Sequence, residues 1–338
     1  MNQINMKYFS MFTGAGGFEL GIQQAYEKYN GDKCQIQTEQ AYVEHKSLHR
    51  SDYVEKPSCI GFSEIDKYAS QLLQIKWPDI KNYGDATLIN EHELPDFDLL
   101  VGGFPCQSFS VAGKRKGFDD TRGTLFFDIA RIISHKRPKH LVLENVKGLL
   151  SHDGGRTFQT ILRVLTDLGY FVEWQVLNSK NFGVPQNRER VFIVGHLGGQ
   201  PRSKVFPIRG SDKEVESATR DVHPTIDANY YKGHSNQRRM IQQLNNPTHS
   251  NDRVYGQEGI SPTLNTMQGG NRQPFIPEGA KIRRLTPVEC ERLQGFPDNW
   301  TEGFSDTQRY KMMGNAVTVN VVKYVVDNLP LDNGMHAC

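Results

Sequence analysis

The sequence predicts an α/β protein built on a mostly parallel sheet, with a smaller irregular segment set into it. Short β-rich runs alternate with stretches of helical period through the first two-thirds of the chain. The first of these runs leads into a glycine turn and a helix start. From about residue 197 the texture changes, and residues 197–282 are rich in Asn, Gln, Gly, Pro and Arg with no long helical period.

Candidate strands, in order, are Lys7–Phe12, Cys59–Ser63, Phe97–Val101, His140–Glu144, Phe171–Leu177 and Arg190–Gly195. Between them, Leu125, Phe126, Ile129, Ile132 and Ile133 recur at helical spacing, as do Phe158, Ile161, Leu162 and Leu165. Helix signals return at Leu285, where Thr286 reads as an N-cap, Pro287 as the first helical residue and Glu289 as the capping-box partner. A last apolar helix is predicted from roughly Asn315 to Leu329, packing back on the sheet.

The 338 residues suffice for a sizeable core, and a net charge of +2 permits a polyanionic partner without arguing for one. No apolar run approaches the ~18 residues that span a membrane, and no signal pattern opens the chain. A soluble, intracellular protein is expected. Cys34, Cys59, Cys106, Cys290 and Cys338 show no framework spacing, so neither disulfides nor a metal site is expected.

Four places carry candidate chemistry. Phe9 to Gly21 reads as strand, glycine turn and helix start, with Phe12, Gly14, Gly16, Gly17 and Phe18 at the turn. Glycines let backbone approach a ligand, and a helix N-terminus favours negative groups. Glu64 ends the second strand, where an acid bonds a ribose; the polar stretch 30–57 explains its distance from the glycines. Asp85 fits a turn residue or an acid that takes an adenine amino group. Cys106, in Gly-Gly-Phe-Pro-Cys, lies just past the carboxyl edge of the third strand, where open α/β sheets bind ligands and a thiol is exposed for reaction. Glu144 ends the next strand at the same edge; an apolar setting there would raise its pKa and let it donate a proton. Arg188 and Arg190 alternate at the start of a strand and can face one site, or can be solvated surface arginines.

In this order the motifs resemble the cytosine-C5 DNA methyltransferase family, most closely its short bacterial modification enzymes. The resemblance runs from Phe-Thr-Gly-Ala-Gly-Gly-Phe through Pro-Cys-Gln-Ser-Phe-Ser, Glu-Asn-Val and Gln-Asn-Arg-Glu-Arg to Gly314-Asn-Ala-Val. It implies the Rossmann-like fold of S-adenosylmethionine-dependent methyltransferases, with S-adenosylmethionine as cofactor. Phe12 would stack on its adenine, Glu64 hold the ribose, Asp85 contact the adenine amine and Asn315 close the pocket. Ile65, Ala86, Pro105 and Ala316 are further cofactor candidates. Ser10 stands where the family often has Asp. The implied chemistry is thiolate addition by Cys106 at cytosine C6, which makes C5 a nucleophile. Glu144 would bond the N3 edge, Arg188 hold the base oxygen or lower the thiol pKa, and Arg190 support the site or a phosphate.

A duplex buries C5 and C6, so the cytosine must be flipped out. The segment 108–123, with three glycines and Lys114, Arg115, Lys116 and Arg122, is predicted to be a loop that closes on DNA, with Gln107 and Ser110 beside it. The expected division is a catalytic and cofactor-binding domain, 1–196 plus 283–338, and a target-recognition domain, 197–282. In the latter, Thr263-Leu264 matches the family's recognition core, and Asn265, Gln268, Asn271 and Arg272 are candidate base readers. The expected partners are double-stranded DNA and a separately acting restriction endonuclease, with the chain itself a cytoplasmic monomer. An RNA (transfer RNA) methyltransferase and a non-catalytic DNA-binding regulator on the same fold are the alternatives.

Overall fold

The computed structural model describes residues 6–27, 57–105, 125–199, 201, 204–207, 241–249, 252–257, 259–265 and 272–330. Six strands form one sheet: β1 (Lys7–Met11), β2 (Ser58–Ser63), β3 (Leu99–Gly103), β4 (His140–Val146), β5 (Tyr170–Asn178) and β7 (Glu189–Leu197), in the order β2-β1-β3-β4-β7-β5. Each falls on a run anticipated from sequence. The pairs β2–β1, β1–β3 and β3–β4 are parallel, whereas β7 runs antiparallel to both β4 and β5. The sheet is therefore mostly parallel, with β7 reversed.

Side-chain alternation along the strands builds a core on each face. Phe9, Met11, Leu100, Leu141, Leu143, Val191 and Ile193 pack under helices α3 (Leu125–Lys136) and α4 (Arg156–Asp167), through Phe126, Ile129, Ile133, Phe158, Ile161 and Leu165. Tyr8, Leu99, Val101, Val142, Phe192 and Val194 face the other way. They meet Phe18 and Ile22 of α1 (residues 17–27) and Val321, Val322 and Val325 of α7 (Val319–Asp327). The C-terminal helix thus packs back on the sheet as expected.

The helix predicted from roughly Asn315 to Leu329 is α7, which starts four residues later, and a further helix not predicted from sequence precedes it. Asn315 ends α6 (Asp306–Asn315), an extended turn follows with Ala316 at φ −63° and ψ 145°, and α7 starts at Val319. The β-branched residues that mark α7 do not extend back into α6, whose polar sequence hid it. Helix α5 (Pro287–Leu293) has the anticipated capping box: Glu289 N donates to Thr286 Oγ1, and Thr286 N to the Glu289 carboxylate at 2.7 Å. With α2 (Lys67–Lys76), α5 and α6 cover the carboxyl edge of the sheet through a third cluster that includes Leu72, Leu264, Leu285, Leu293, Phe296 and Met313. Strands β6 (Gln186–Asn187) and β8 (Ser261–Pro262) pair in parallel, and β9 (Phe275–Glu278) with β10 (Lys281–Arg284) makes a hairpin. Among the described residues no helix is long and apolar enough to cross a membrane.

Candidate active site

The carboxyl ends of β1, β2, β3 and β4 and the start of β7 converge on one cavity of about 550 Å³. At the end of β1 the chain turns sharply, and Phe12 takes a left-handed φ of 56°. Non-glycine residues held there cost of order 1–3 kcal/mol and cluster at ligand clamps. Phe12 lines the cavity, half-buried. Gly14, at φ 60°, also lines it, and its N–H donates to Glu64 Oε2 at 2.7 Å. Glu64 Oε1 accepts Asp66 N at 2.7 Å, so the carboxylate sits between two backbone donors. Burial raises its pKa, against those hydrogen bonds.

Ile65 lines the same cavity and is 71% exposed, beside the half-buried Glu64 carboxylate. An acid at a strand end suits a ribose and the apolar side chains in the same cavity suit a planar base, so the residues fit a nucleoside-bearing cofactor. Asp85, Ala86 and Asn315 line the cavity too. Asp85 also does turn work: its Oδ1 accepts Thr87 N at 2.9 Å and Thr87 Oγ1 at 2.8 Å.

Glu144 and Arg190 also line the cavity and meet there, Arg190 Nε lying 3.0 Å from Glu144 Oε1. The antiparallel register explains the contact. Glu144 stands opposite Phe192 and Val146 opposite Arg190, so the two charged residues are diagonal neighbours on one face. The apolar setting expected for Glu144 is therefore corrected: its carboxylate faces a guanidinium. Pro105, after β3, lines the cavity as well.

Arg188 borders the cavity but is 2% exposed, and its guanidinium is engaged by backbone. Nη1 donates to Leu264 O at 3.1 Å; Nη2 donates to Gly314 O at 3.1 Å and Ala316 O at 2.8 Å. Burial, with Arg190 nearby, pushes its pKa down to about 9. Of the two arginines, Arg190 is the one held against the Glu144 carboxylate, whereas Arg188 ties segments together; the resemblance implied that Arg188 holds the base oxygen or lowers the thiol pKa and that Arg190 supports the site or a phosphate.

Four cofactor candidates do not line the cavity. A Cβ on Gly16 would lie 2.6 Å from the Trp77 ring, and one on Gly17 2.7 Å from Val317 O, so these glycines admit neighbouring protein. Phe18 and Ala316 are core side chains, 1% and 2% exposed. Cys106, Gln107, Ser110, Lys114, Arg115, Lys116, Arg122, Gln268 and Asn271 lie outside the described residues. Thr263, Asn265 and Arg272 are described and exposed.

Three residues not singled out from sequence belong to this edge. Asn145, 2% exposed, donates through Nδ2 to Phe104 O at 2.7 Å and anchors the turn that leads to Pro105. Lys311 of α6 bonds Asp66 at 2.5 Å, and both line the cavity. Asn145 stood in the Glu-Asn-Val motif and was legible there; Lys311 and Asp66 gave no such signal.

A mostly parallel sheet with a backbone-held acid and a carboxylate–guanidinium pair sharing one cavity at its carboxyl edge fits a methyltransferase. A family model of C-5 cytosine-specific DNA methylases matches residues 6–330, and the chain belongs to that family. It is 38% identical over 340 residues to the Type II methyltransferase M1.ScrFI of Lactococcus lactis subsp. cremoris, covering 96% of this chain and 77% of that one. With the Type II methyltransferase M.HpaII of Haemophilus parainfluenzae it shares 42% over 349 residues (94% and 87% covered). With M.HhaI of Haemophilus parahaemolyticus it shares 32% over 339 residues (96% and 94%). The crystal structure of S. pombe Dnmt2 methyltransferase superposes with a TM-score of 0.64 at 15% identity, covering 95% of this chain and 97% of that one, a likeness of fold. The protein is a DNA (cytosine-5-)-methyltransferase that uses S-adenosyl-L-methionine as methyl donor and DNA as substrate.

Proposed function

We propose that the cavity at the sheet's carboxyl edge is where one flipped cytosine is methylated, with Cys106 as the nucleophile. The observation that carries this reading is the Glu144–Arg190 pair in the same cavity as Phe12 and Glu64. Phe12, Gly14, Glu64, Ile65, Asp85 and Asn315 hold the cofactor, which supplies an electrophilic methyl group. The Cys106 thiolate adds to C6 and makes C5 nucleophilic. Glu144 bonds the N3 edge and stabilises the proton gained there, while Arg190 holds Glu144 in place and is the candidate to hold the base oxygen. Asn145 fixes the turn before Cys106.

Residues 1–196 with 283–338 form the catalytic part, and 197–282 reads a short DNA site, acting as a monomer. The relatives named Type II methyltransferases support a role as the modification partner of a separately acting restriction endonuclease in the cytoplasm. Labelled-methyl transfer to plasmid DNA and to total transfer RNA, with wild type and Cys106→Ser, tests the reading. Label should enter DNA cytosine at C5 and be lost in Cys106→Ser; full methylation by that variant sinks the nucleophile assignment.

A further inference from the structure

Gln186 is completely buried, yet its side-chain amide bonds two other segments of backbone. Nε2 donates to Leu293 O, at the end of α5, at 2.7 Å, and Oε1 accepts Leu264 N at 3.1 Å. Two residues on, Arg188 Nη1 donates to Leu264 O. Both backbone groups of Leu264 are thus satisfied by side chains 78 and 76 residues away in sequence. Around this contact, β6 pairs with β8, Ser261 N donates to Pro185 O at 2.8 Å, and Thr263 Oγ1 donates to Asn187 O at 2.6 Å.

Buried backbone groups must be paired, and here the partners are side chains rather than a long strand ladder. Gln186 and Arg188 therefore hold the Leu264 backbone, beside the Thr263–Asn187 contact and the β6–β8 pairing. Leu264 is 1% exposed and locked in the third core cluster, while Thr263 and Asn265 on either side of it are exposed. Arg190, the guanidinium on Glu144, lies four residues beyond Gln186 on the same short run. One stretch of chain thus holds the candidate reading segment on one side and the candidate base-binding pair on the other.

We propose that Gln186 is a positioning residue that holds the 263–265 segment in register with Glu144 and Arg190, so that contacts to the target sequence are converted into correct placement of the cytosine. This rests on the reading of 263–265 as part of the target-recognition surface. A shift of about 1 Å at a reacting centre can cost roughly 100-fold.

The test compares wild type, Gln186→Met, which removes both hydrogen bonds at similar length, and Gln186→Glu, which keeps the acceptor for Leu264 N. Plasmid DNA whose methylated site has been mapped with the wild-type enzyme is the substrate, alongside the same site with single base-pair changes. Gln186→Met is expected to lose about 10- to 100-fold in kcat/KM on the mapped site. Its preference for that site should fall, and its S-adenosylmethionine affinity should stay within about twofold, because no cofactor-lining residue is touched. Gln186→Glu should lie between the two. Wild-type preference and kcat/KM in a folded Gln186→Met protein overturn the proposal, as does a loss of cofactor affinity in parallel with activity. Should Gln186→Met not fold, the same readings on Gln186→Glu decide. Unchanged site preference in a Thr263→Ala/Asn265→Ala variant would overturn the recognition reading and the proposal with it. Loss of preference there, with none in either Gln186 variant, would overturn the positioning role alone.

Discussion

Glu144 and Arg190 share a partly desolvated ion pair, their side chains 12% and 15% exposed. Removing one partner from such a pair leaves the other uncompensated, so the loss exceeds the net value of the contact. Arg190→Ala is expected to lower kcat by about 100-fold or more. Arg190→Lys should recover only part of it, because an ammonium lacks the planar fork. In single-turnover assays the double variant Glu144→Gln/Arg190→Ala should cost little more than either change alone; strictly additive losses would mean that the two side chains act independently. A second carboxyl makes a prediction about stability. Glu19 of α1 is 1% exposed, and neither of its oxygens has a well-aligned hydrogen-bond partner among the described residues. Burial, partly opposed by the Ser10 hydroxyl, pushes its pKa from 4.5 to about 7. The folded state therefore favours the neutral acid. That stability is fully present below about pH 4.5 and is lost as pH rises through 7. Glu19→Gln should match wild type near pH 4.5 and be the more stable at pH 8, by about 3 kcal/mol at most. Urea midpoints at the two pH values measure this, and an equal shift at both would rule out titration of Glu19.

The six strands of the main sheet were legible because each is a run rich in apolar or β-branched residues closed by a turn or a polar residue. The reversal of β7 was legible only in the connection: residues 179–188 are too few for a parallel crossover, which needs a dozen or more residues. The glycine turn shows the limit of residue type as a signal. Gly14 and Gly16 both take positive φ, yet Gly14 borders the cavity whereas Gly16 admits Trp77. Sequence says that something approaches a glycine, not what. Arg188 and Arg190 were likewise indistinguishable until the register set one on Glu144 and burial set the other on backbone carbonyls. Long-range pairs were the least legible, as with Lys311 on Asp66, 245 residues apart. That pair joins α6, which ends in Asn315, to the turn that carries Glu64 and Ile65. It is half-exposed, so it is worth about 1 kcal/mol or less. Lys311→Met should weaken S-adenosylmethionine binding by up to about fivefold. Wild-type affinity should decline with added salt more steeply than that of the variant, and equal salt dependence in calorimetric titrations would exclude the ion pair as the link.

At the scale of the whole molecule, a net charge of +2 supplies little general attraction for a polyanion. Many of the described arginines are also already neutralised: Arg131 by Glu91, Arg283 by Glu289, Arg292 by Asp298 and Arg309 by Glu291. On the proposed reading a few local cations dominate DNA affinity, and the sequence sets three in a row at Lys114, Arg115 and Lys116, three residues past the Pro-Cys-Gln-Ser-Phe-Ser run. Each phosphate contact contributes about 0.9 to the slope of log affinity against log salt. The triple variant Lys114→Ala/Arg115→Ala/Lys116→Ala should lower the magnitude of that slope by up to about 3. The loss should be much the same on cognate and unrelated duplexes, because phosphates carry no sequence. Preference for the mapped site should survive, since the candidate readers lie in 263–272. Anisotropy titrations of both duplexes across a salt series measure slope and preference together. An unchanged slope would place the phosphate contacts elsewhere in the chain. A slope that falls only on the cognate duplex would mean that these cations read the sequence instead of holding its backbone.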